Sequence, residues 1–334
     1  MEVIKRRAYA RAGLMGNPSD GYGGRTISFT IPDFFAEVVL YEWEDLEVIP
    51  SQQDHGRFGS IQELAQDVRL HGYYGGIRLV KATIKRFVDF CQGRHELHDR
   101  NFSIRYETNI PRQVGLAGSS AIIVATLGAL LDYYQLEIPD ELQPSLALSV
   151  EKDELGIAAG LQDRVVQVLG GLVQMDFTEP AMRQQQGLWC GQYEKLDASM
   201  LPPLYVAYAD ELGEPTEVVH NDLQSRFQQG DAELVEAMQQ LADITQQARG
   251  CLESGDGEQF GRLVDKNFSI RQSICQVHPA HLAMIEAARS TGATAKFAGS
   301  GGAIVGTYQD EAMYQALCQA LSQRGCHVLR PTPT

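Results

Sequence analysis

The run Gly115-Leu116-Ala117-Gly118-Ser119-Ser120-Ala121 carries more chemistry than any other segment of the chain. Its glycines let the backbone approach an anion closely. The apolar stretch behind it, residues 119–134, reads as a helix whose first turn offers unpaired N–H groups and a positive dipole end. Such a loop can cradle phosphate, although it is not a Walker loop, since no Gly-Lys-Ser/Thr follows. The same residues also fit a tight strand-to-helix turn with an ordinary serine cap. A second run, Gly299-Ser300-Gly301-Gly302, sits between two apolar segments and alone reads as a hairpin turn. A third, Asn17-Pro18-Ser19-Asp20-Gly21, alone reads as an Asx-type turn between strands.

Two acids are candidates to work with a phosphate. Glu151 lies in Ser149-Val150-Glu151-Lys152-Asp153-Glu154, and Asp163 in Gly160-Leu161-Gln162-Asp163-Arg164. Phosphoryl transfer asks for positioning and charge neutralisation more than for covalent chemistry, and Mg²⁺ prefers oxygen ligands. Taken singly, Glu151 fits a solvated helix carboxylate, Asp163 a helix cap, and Arg11 an ion pair at a strand end. The histidines show no metal spacing, and His95-Glu96-Leu97-His98 reads as a solvated loop.

The elements that must position these residues follow from pattern. Residues 9–15, 26–31 and 36–43 read as strands, the first two separated by the turn Gly21-Tyr22-Gly23-Gly24. Residues 60–70 read as a helix with Ser60 and Glu63 as a capping box. Ile77, Val80, Ile84, Phe87, Val88 and Cys91 recur at helical spacing, which predicts an amphipathic helix over 76–91. Residues 102–108 alternate as a strand. Helices follow over 119–134, 144–155 and 162–169, then a strand over 171–177. Composition shifts across 178–203, with a glutamine run and Pro202-Pro203, and the expected division is 1–190 and 191–334. The second part reads as a strand over 204–209, helices over 232–253 and 259–275, and a helix opened by Pro279. A strand pair around 295–308, a helix over 311–324 and a last strand over 326–329 complete it. The fold class expected is α+β.

Bulk properties narrow the partners. The 334 residues carry a net charge of −15, and Lys5-Arg6-Arg7 is the only basic run. Nucleic acid and anionic membranes are therefore poor partners, although a locally basic pocket could still take an anionic substrate. No apolar segment follows the early basic residues, and the apolar run 121–131 is too short to span a bilayer. Six scattered cysteines without a CxxC pair read as reduced thiols, so the expected location is cytoplasmic.

The three glycine-rich segments, in this order, resemble the signatures of the galactokinase–homoserine kinase–mevalonate kinase (GHMP) superfamily. They span residues 11–20, 111–121 and 296–303. Glu151, Gly156, Gly160 and Asp163 match the superfamily's spacing between its metal glutamate and its catalytic aspartate. The resemblance implies a ribosomal-S5-like first lobe, a ferredoxin-like second lobe, and ATP and Mg²⁺ as cofactors. It implies Asp163 as base and Arg11 as a catalytic cation. Ser120 and Glu151 would hold the metal, and Pro111, Gly115, Leu116, Ala117, Gly118, Ser119, Ser120 and Ala121 the nucleotide. Asn17, Ser19, Asp20, Arg164 and Gly301 would contact the substrate. Asn17-Pro18 stands where many galactokinase-like members carry Glu-His. The runs 16–22, 72–76, 109–113 and 160–167 look like the glucuronate 1-kinases, which implies glucuronate as the small-molecule substrate. A uronate carboxylate calls for a cation, with Arg164, Arg25, Arg112 and Arg271 as candidates. Another kinase of the superfamily, or a silent sugar- or nucleotide-binding regulator, is the alternative. The oligomeric state is left open.

Overall fold

The computed structural model describes residues 3–51, 54, 75–209 and 223–332. The helix expected over 60–70, and residues 72–74 of the run 72–76, lie outside the described residues.

Two long strands found the first sheet. Strand β1 (Val3–Met15) pairs antiparallel with β2 (Arg25–Glu42) along nearly its whole length. The sequence suggested two strands where β2 runs unbroken. Pro32 does not end it because the pairing steps from Phe35–Tyr9 to Ile31–Ala10, so residues 32–34 bulge out of the ladder and no N–H is asked of the proline. On its other edge β2 carries β4 (Phe102–Thr108) along its second half and β5 (Leu172–Asp176) along its first. Strand β3 (Glu47–Ile49) joins β4 in parallel, and β8 (Gln192–Leu196) joins β5. This sheet thus continues past residue 190, where the sequence suggested a division. Strands β6 (Arg183–Gln185) and β7 (Leu188–Cys190) form a separate hairpin.

Helices α1 (Gly76–Cys91), α2 (Gly118–Tyr134), α3 (Gln143–Ser149) and α4 (Gln162–Leu169) accompany this sheet. Helix α2 is apolar all round because it is enclosed, with β1 and β2 on one side and α1, α3 and α4 around the rest. Its Ile123, Leu127 and Leu130 are at most 1% exposed, and each such side chain contributes about 1.5–3 kcal/mol by leaving water.

The second sheet has the order β10 (Lys296–Phe297), β11 (Ala303–Thr307), β9 (Leu204–Tyr208), β12 (His327–Leu329), all antiparallel. Helices α5 (Ala232–Ser254), α6 (Gly257–Ile274), α7 (Pro279–Arg289) and α8 (Glu311–Ser322) belong with it. Asp231, Asp256 and Asp310 cap α5, α6 and α8, each accepting a backbone N–H of the first turn. Helix α6 packs on β10 and also on β1, so the two sheets meet at the C-terminal end of β1. Among the described residues no helix is long and apolar enough to cross a membrane.

Candidate active site

The glycine-rich loop between β4 and α2 has left-handed backbone at every second residue: Gln113 (φ 58°), Gly115 (φ 76°) and Ala117 (φ 63°). Such alternation turns successive N–H groups toward one concave side, an arrangement that suits an anion. Glycine takes this conformation freely, but Gln113 and Ala117 each pay about 1–3 kcal/mol for it. Side chains hold the strained loop in place. Arg11 donates from Nη1 to the Gly115 carbonyl at 2.6 Å, and Gln167 donates from Nε2 to the Ala117 carbonyl at 2.9 Å. Ala117 stands at the N-cap of α2 and has no side-chain oxygen to spend on the first turn. The dipole end of α2 therefore opens into the loop's concavity.

Glu151 sits at the mouth of that helix. It lies in a single π-turn, Val150–Glu154, that continues α3, so the expected helix over 144–155 loosens into a wider turn where it carries the acid. The side chain is 2% exposed, not solvated. Ser119 donates to Glu151 Oε1 at 3.3 Å. Ser120, expected beside the metal, is 1% exposed and donates back to the Ala117 carbonyl at 3.1 Å. The two serines differ by one residue, about 100° around the helix, and only the first faces the acid.

Arg164, expected at the substrate, is committed elsewhere. Its Nε donates to Glu151 Oε2 at 2.6 Å, its Nη2 reaches the same oxygen, and its Nη1 donates to the Gly160 carbonyl at 2.7 Å. The other candidate arginines divide similarly. Arg25 pairs with Asp176 at 2.7 Å, and buried Arg271 donates to the Gly299 and Ser300 carbonyls at 2.5 and 2.7 Å. Arg112 is exposed on the phosphate loop.

Asp163 lies in the first turn of α4 and accepts from Arg11 Nε at 2.6 Å, and its second oxygen is 3.6 Å from Arg164 Nη1. Arg11 also donates to the Ala298 carbonyl at 3.1 Å, so one side chain from β1 touches the phosphate loop, the late loop and the candidate base. The late loop packs on the phosphate loop so closely that a Cβ at Gly299 would run into the Gly115 carbonyl. Gly301 (φ 158°) faces the ring of His281.

The polar run after β1 splits in role. Asp20 accepts from the Gln162 backbone N–H at 3.3 Å, beside Gly160, where a Cβ would collide with the carboxylate. Burial, reinforced by the charge of Asp163, pushes its pKa up to about 6. Asn17 is 4% exposed; its oxygen accepts from Lys296 and its nitrogen donates to the Phe297 carbonyl at 3.4 Å. Ser19 is fully buried and donates to the Arg25 carbonyl at 3.0 Å, so its hydroxyl shapes the turn.

Asn267, which the sequence reading passed over, and Lys296, which opens the third glycine-rich signature, complete the frame. Asn267 of α6 accepts the Gly16 N–H at 2.7 Å and donates to the Asn17 carbonyl at 3.2 Å. Lys296 spends its ammonium on the Gly13 and Phe297 carbonyls at 2.6 and 2.9 Å as well as on Asn17. Burial, then the charges of Arg271 and Arg11, push the Lys296 pKa well below the lysine range. Nothing local in the sequence signalled Asn267, which acts from 250 residues away.

Comparison with known proteins follows this geometry. The family model of the GHMP kinases N terminal domain matches residues 78–171. Among solved structures, galactokinase of Lactococcus lactis complexed with galactose superposes with a TM-score of 0.75 at 16% identity, covering 99% of this chain and 94% of that one. Mevalonate kinase of L. major in complex with R-mevalonate gives 0.69 at 20% identity, covering 99% and 97%. The fold is that of the GHMP kinases. Glucuronokinase 1 of Arabidopsis thaliana is 43% identical over 311 residues, 91% of this chain and 84% of that protein. Probable glucuronokinase 2 of the same plant is 42% identical, with the same coverage. The chain belongs to the glucuronokinase family.

Proposed function

We propose that this protein transfers the γ-phosphoryl group of ATP to the anomeric hydroxyl of glucuronate, giving glucuronate 1-phosphate and ADP. The observation that carries the reading is the convergence of Asp163, Arg11 and Glu151 on the loop that opens at the N-terminus of α2. Family membership supports the substrate.

The chemistry follows from the residues. Asp163 accepts the proton of the anomeric hydroxyl as its oxygen bonds to phosphorus and the bond to the β-phosphate bridge breaks. Arg11, held between Asp163 and the Gly115 carbonyl, lends positive charge where the transferred group passes. The N–H groups of the phosphate loop receive the nucleotide's phosphates. Asp20 accepts hydrogen bonds from sugar hydroxyls. Glu151 and the Ser119 hydroxyl are hard oxygen donors in contact at the helix mouth, a set that suits Mg²⁺ shared with nucleotide phosphates. Mg²⁺ there supplies neutralisation of phosphate charge. Among the described residues no trio of His, Cys, Asp or Glu gathers as an all-protein metal site.

The test is ADP release with Mg·ATP against glucuronate, galacturonate, glucose, galactose, mevalonate and homoserine. Glucuronate is the expected preferred acceptor, with an acid-labile phosphate on the anomeric carbon. Phosphate on another carbon, or preference for galactose, refutes the reading.

A further inference from the structure

Gln167 grips the phosphate loop from outside, at a point where the loop is strained. It lies on α4, one turn after Asp163, so the two side chains share a face of that helix. It is 6% exposed. Its Nε2 donates to the Ala117 carbonyl at 2.9 Å and to the Tyr9 carbonyl of β1 at 3.1 Å. Its Oε1 has no hydrogen-bond partner among the described residues. Turning the amide over would set that oxygen against two carbonyls, so the orientation is fixed and the side chain acts here through its donor end.

Ala117 is where such a hold is needed. At φ 63° it takes left-handed backbone with a Cβ in place, and as the N-cap of α2 it directs the first N–H groups of that helix. Ser120 also donates to the Ala117 carbonyl, at 3.1 Å, but Ser120 belongs to α2 and moves with it. Gly115, the left-handed residue two positions earlier, has its carbonyl held by Arg11, which also bonds Asp163. Both left-handed carbonyls are therefore tied to the helix of the candidate base, one through Arg11 and Asp163, the other through Gln167.

We infer that Gln167 is a positioning residue for the nucleotide, one that holds Ala117 in its left-handed conformation and so aims the N–H groups at the start of α2 toward the phosphates of ATP. The inference rests on the reading of this loop as the phosphate site. Without the amide donors, Ala117 relaxes toward ordinary backbone, the start of α2 turns, and its N–H groups no longer converge on one point. Glycine adopts the left-handed conformation without strain, so a loop with glycine at this position does not need the hold.

The test is a double-mutant cycle read in the KM for ATP. Gln167→Met keeps length and removes the donors. It should raise the KM for ATP about five- to tenfold, as expected for one lost hydrogen bond, while the KM for glucuronate stays within about twofold of wild type. In an Ala117→Gly background the same substitution should raise the KM for ATP by less than about twofold. Gln167→Leu serves as a second variant should methionine disturb folding, and calorimetric titration with Mg·ADP reads the same loss without turnover. An unchanged KM for ATP, a rise shared equally by glucuronate, or an equal rise in both backgrounds overturns the inference and leaves the kinase reading intact. Failure of the wild type to bind Mg·ADP overturns the reading of the loop beneath it.

Discussion

Replacing Arg164 should damage the fold of the site before it damages recognition of a sugar acid. The Arg164 side chain is 5% exposed and that of Glu151 is 2% exposed. Arg164→Met removes two charge-assisted bonds to Glu151 and the 2.7 Å bond to the Gly160 carbonyl. Among the described residues it leaves the Glu151 side chain with the Ser119 hydroxyl at 3.3 Å. Taking one partner from a buried ion pair costs about 3–5 kcal/mol, because the other charge stays buried. At about 2–4 °C per kcal/mol, the melting midpoint should fall by roughly 6–20 °C. Arg164→Lys keeps the charge but not the planar fork, so its loss should be smaller. Calorimetry gives the midpoints, and steady-state kinetics with glucuronate and a neutral hexose give the selectivity. We expect the ratio of kcat/KM for the two sugars to stay within about twofold of wild type, since Arg164 is already engaged with Glu151 and the Gly160 carbonyl. An unshifted midpoint together with a selective loss of glucuronate would show that Arg164 reads the carboxylate after all.

Three further outcomes follow from the same geometry. Asp163→Asn keeps an oxygen that can accept from Arg11, so the protein should fold and bind ATP while kcat falls about 100- to 10,000-fold; retention of more than about a tenth of the rate would make Asp163 structural. Ser119→Ala should raise the Mg²⁺ concentration for half-maximal activity on the order of tenfold, while Ser120→Ala should leave it near normal, because the Ala117 carbonyl keeps its bond from Gln167; the reverse ranking in a Mg²⁺ titration would restore Ser120 as ligand. Asp20 should lose its acceptor role as pH falls through about 6, so the KM for the sugar should rise by roughly tenfold between about pH 7 and pH 5 and that slope should vanish in Asp20→Asn. The sign for folding is opposite: a raised carboxyl pKa stabilises the fold fully below the ordinary aspartate value and loses that contribution as pH rises through about 6, so Asp20→Asn should melt higher than wild type at pH 8, and a lower midpoint there would contradict the assignment.

The sequence made visible what depends on local pattern. The helix over 76–91 has the bounds expected from its apolar spacing, and the helix behind the phosphate loop begins one residue early. Strands β9 and β12 and the capped helices of the second part also lie where turn and cap residues put them. What it hid depends on rotation and on distance. Choosing between Ser119 and Ser120 needs the roll of α2, which is set by the left-handed backbone at Ala117. The true partner of Arg164 needs the packing of α4 against the turn that carries Glu151, thirteen residues earlier. The resemblance implied Asn17 and Ser19 as substrate contacts, and it could not show that both side chains are buried, Asn17 accepting from Lys296 and Ser19 donating to the Arg25 carbonyl.

The clasp made by Arg11 has a consequence for the order in which the molecule is made. This guanidinium belongs to the first strand, yet its acceptors are Gly115, Asp163 and Ala298. During synthesis the strand is made 287 residues ahead of its last acceptor. Contacts of such sequence separation form slowly, since a long loop must close before they are rewarded. A nascent chain can therefore build much of its first sheet while its catalytic cation is still unanchored, and competence arrives only once residue 298 has been made.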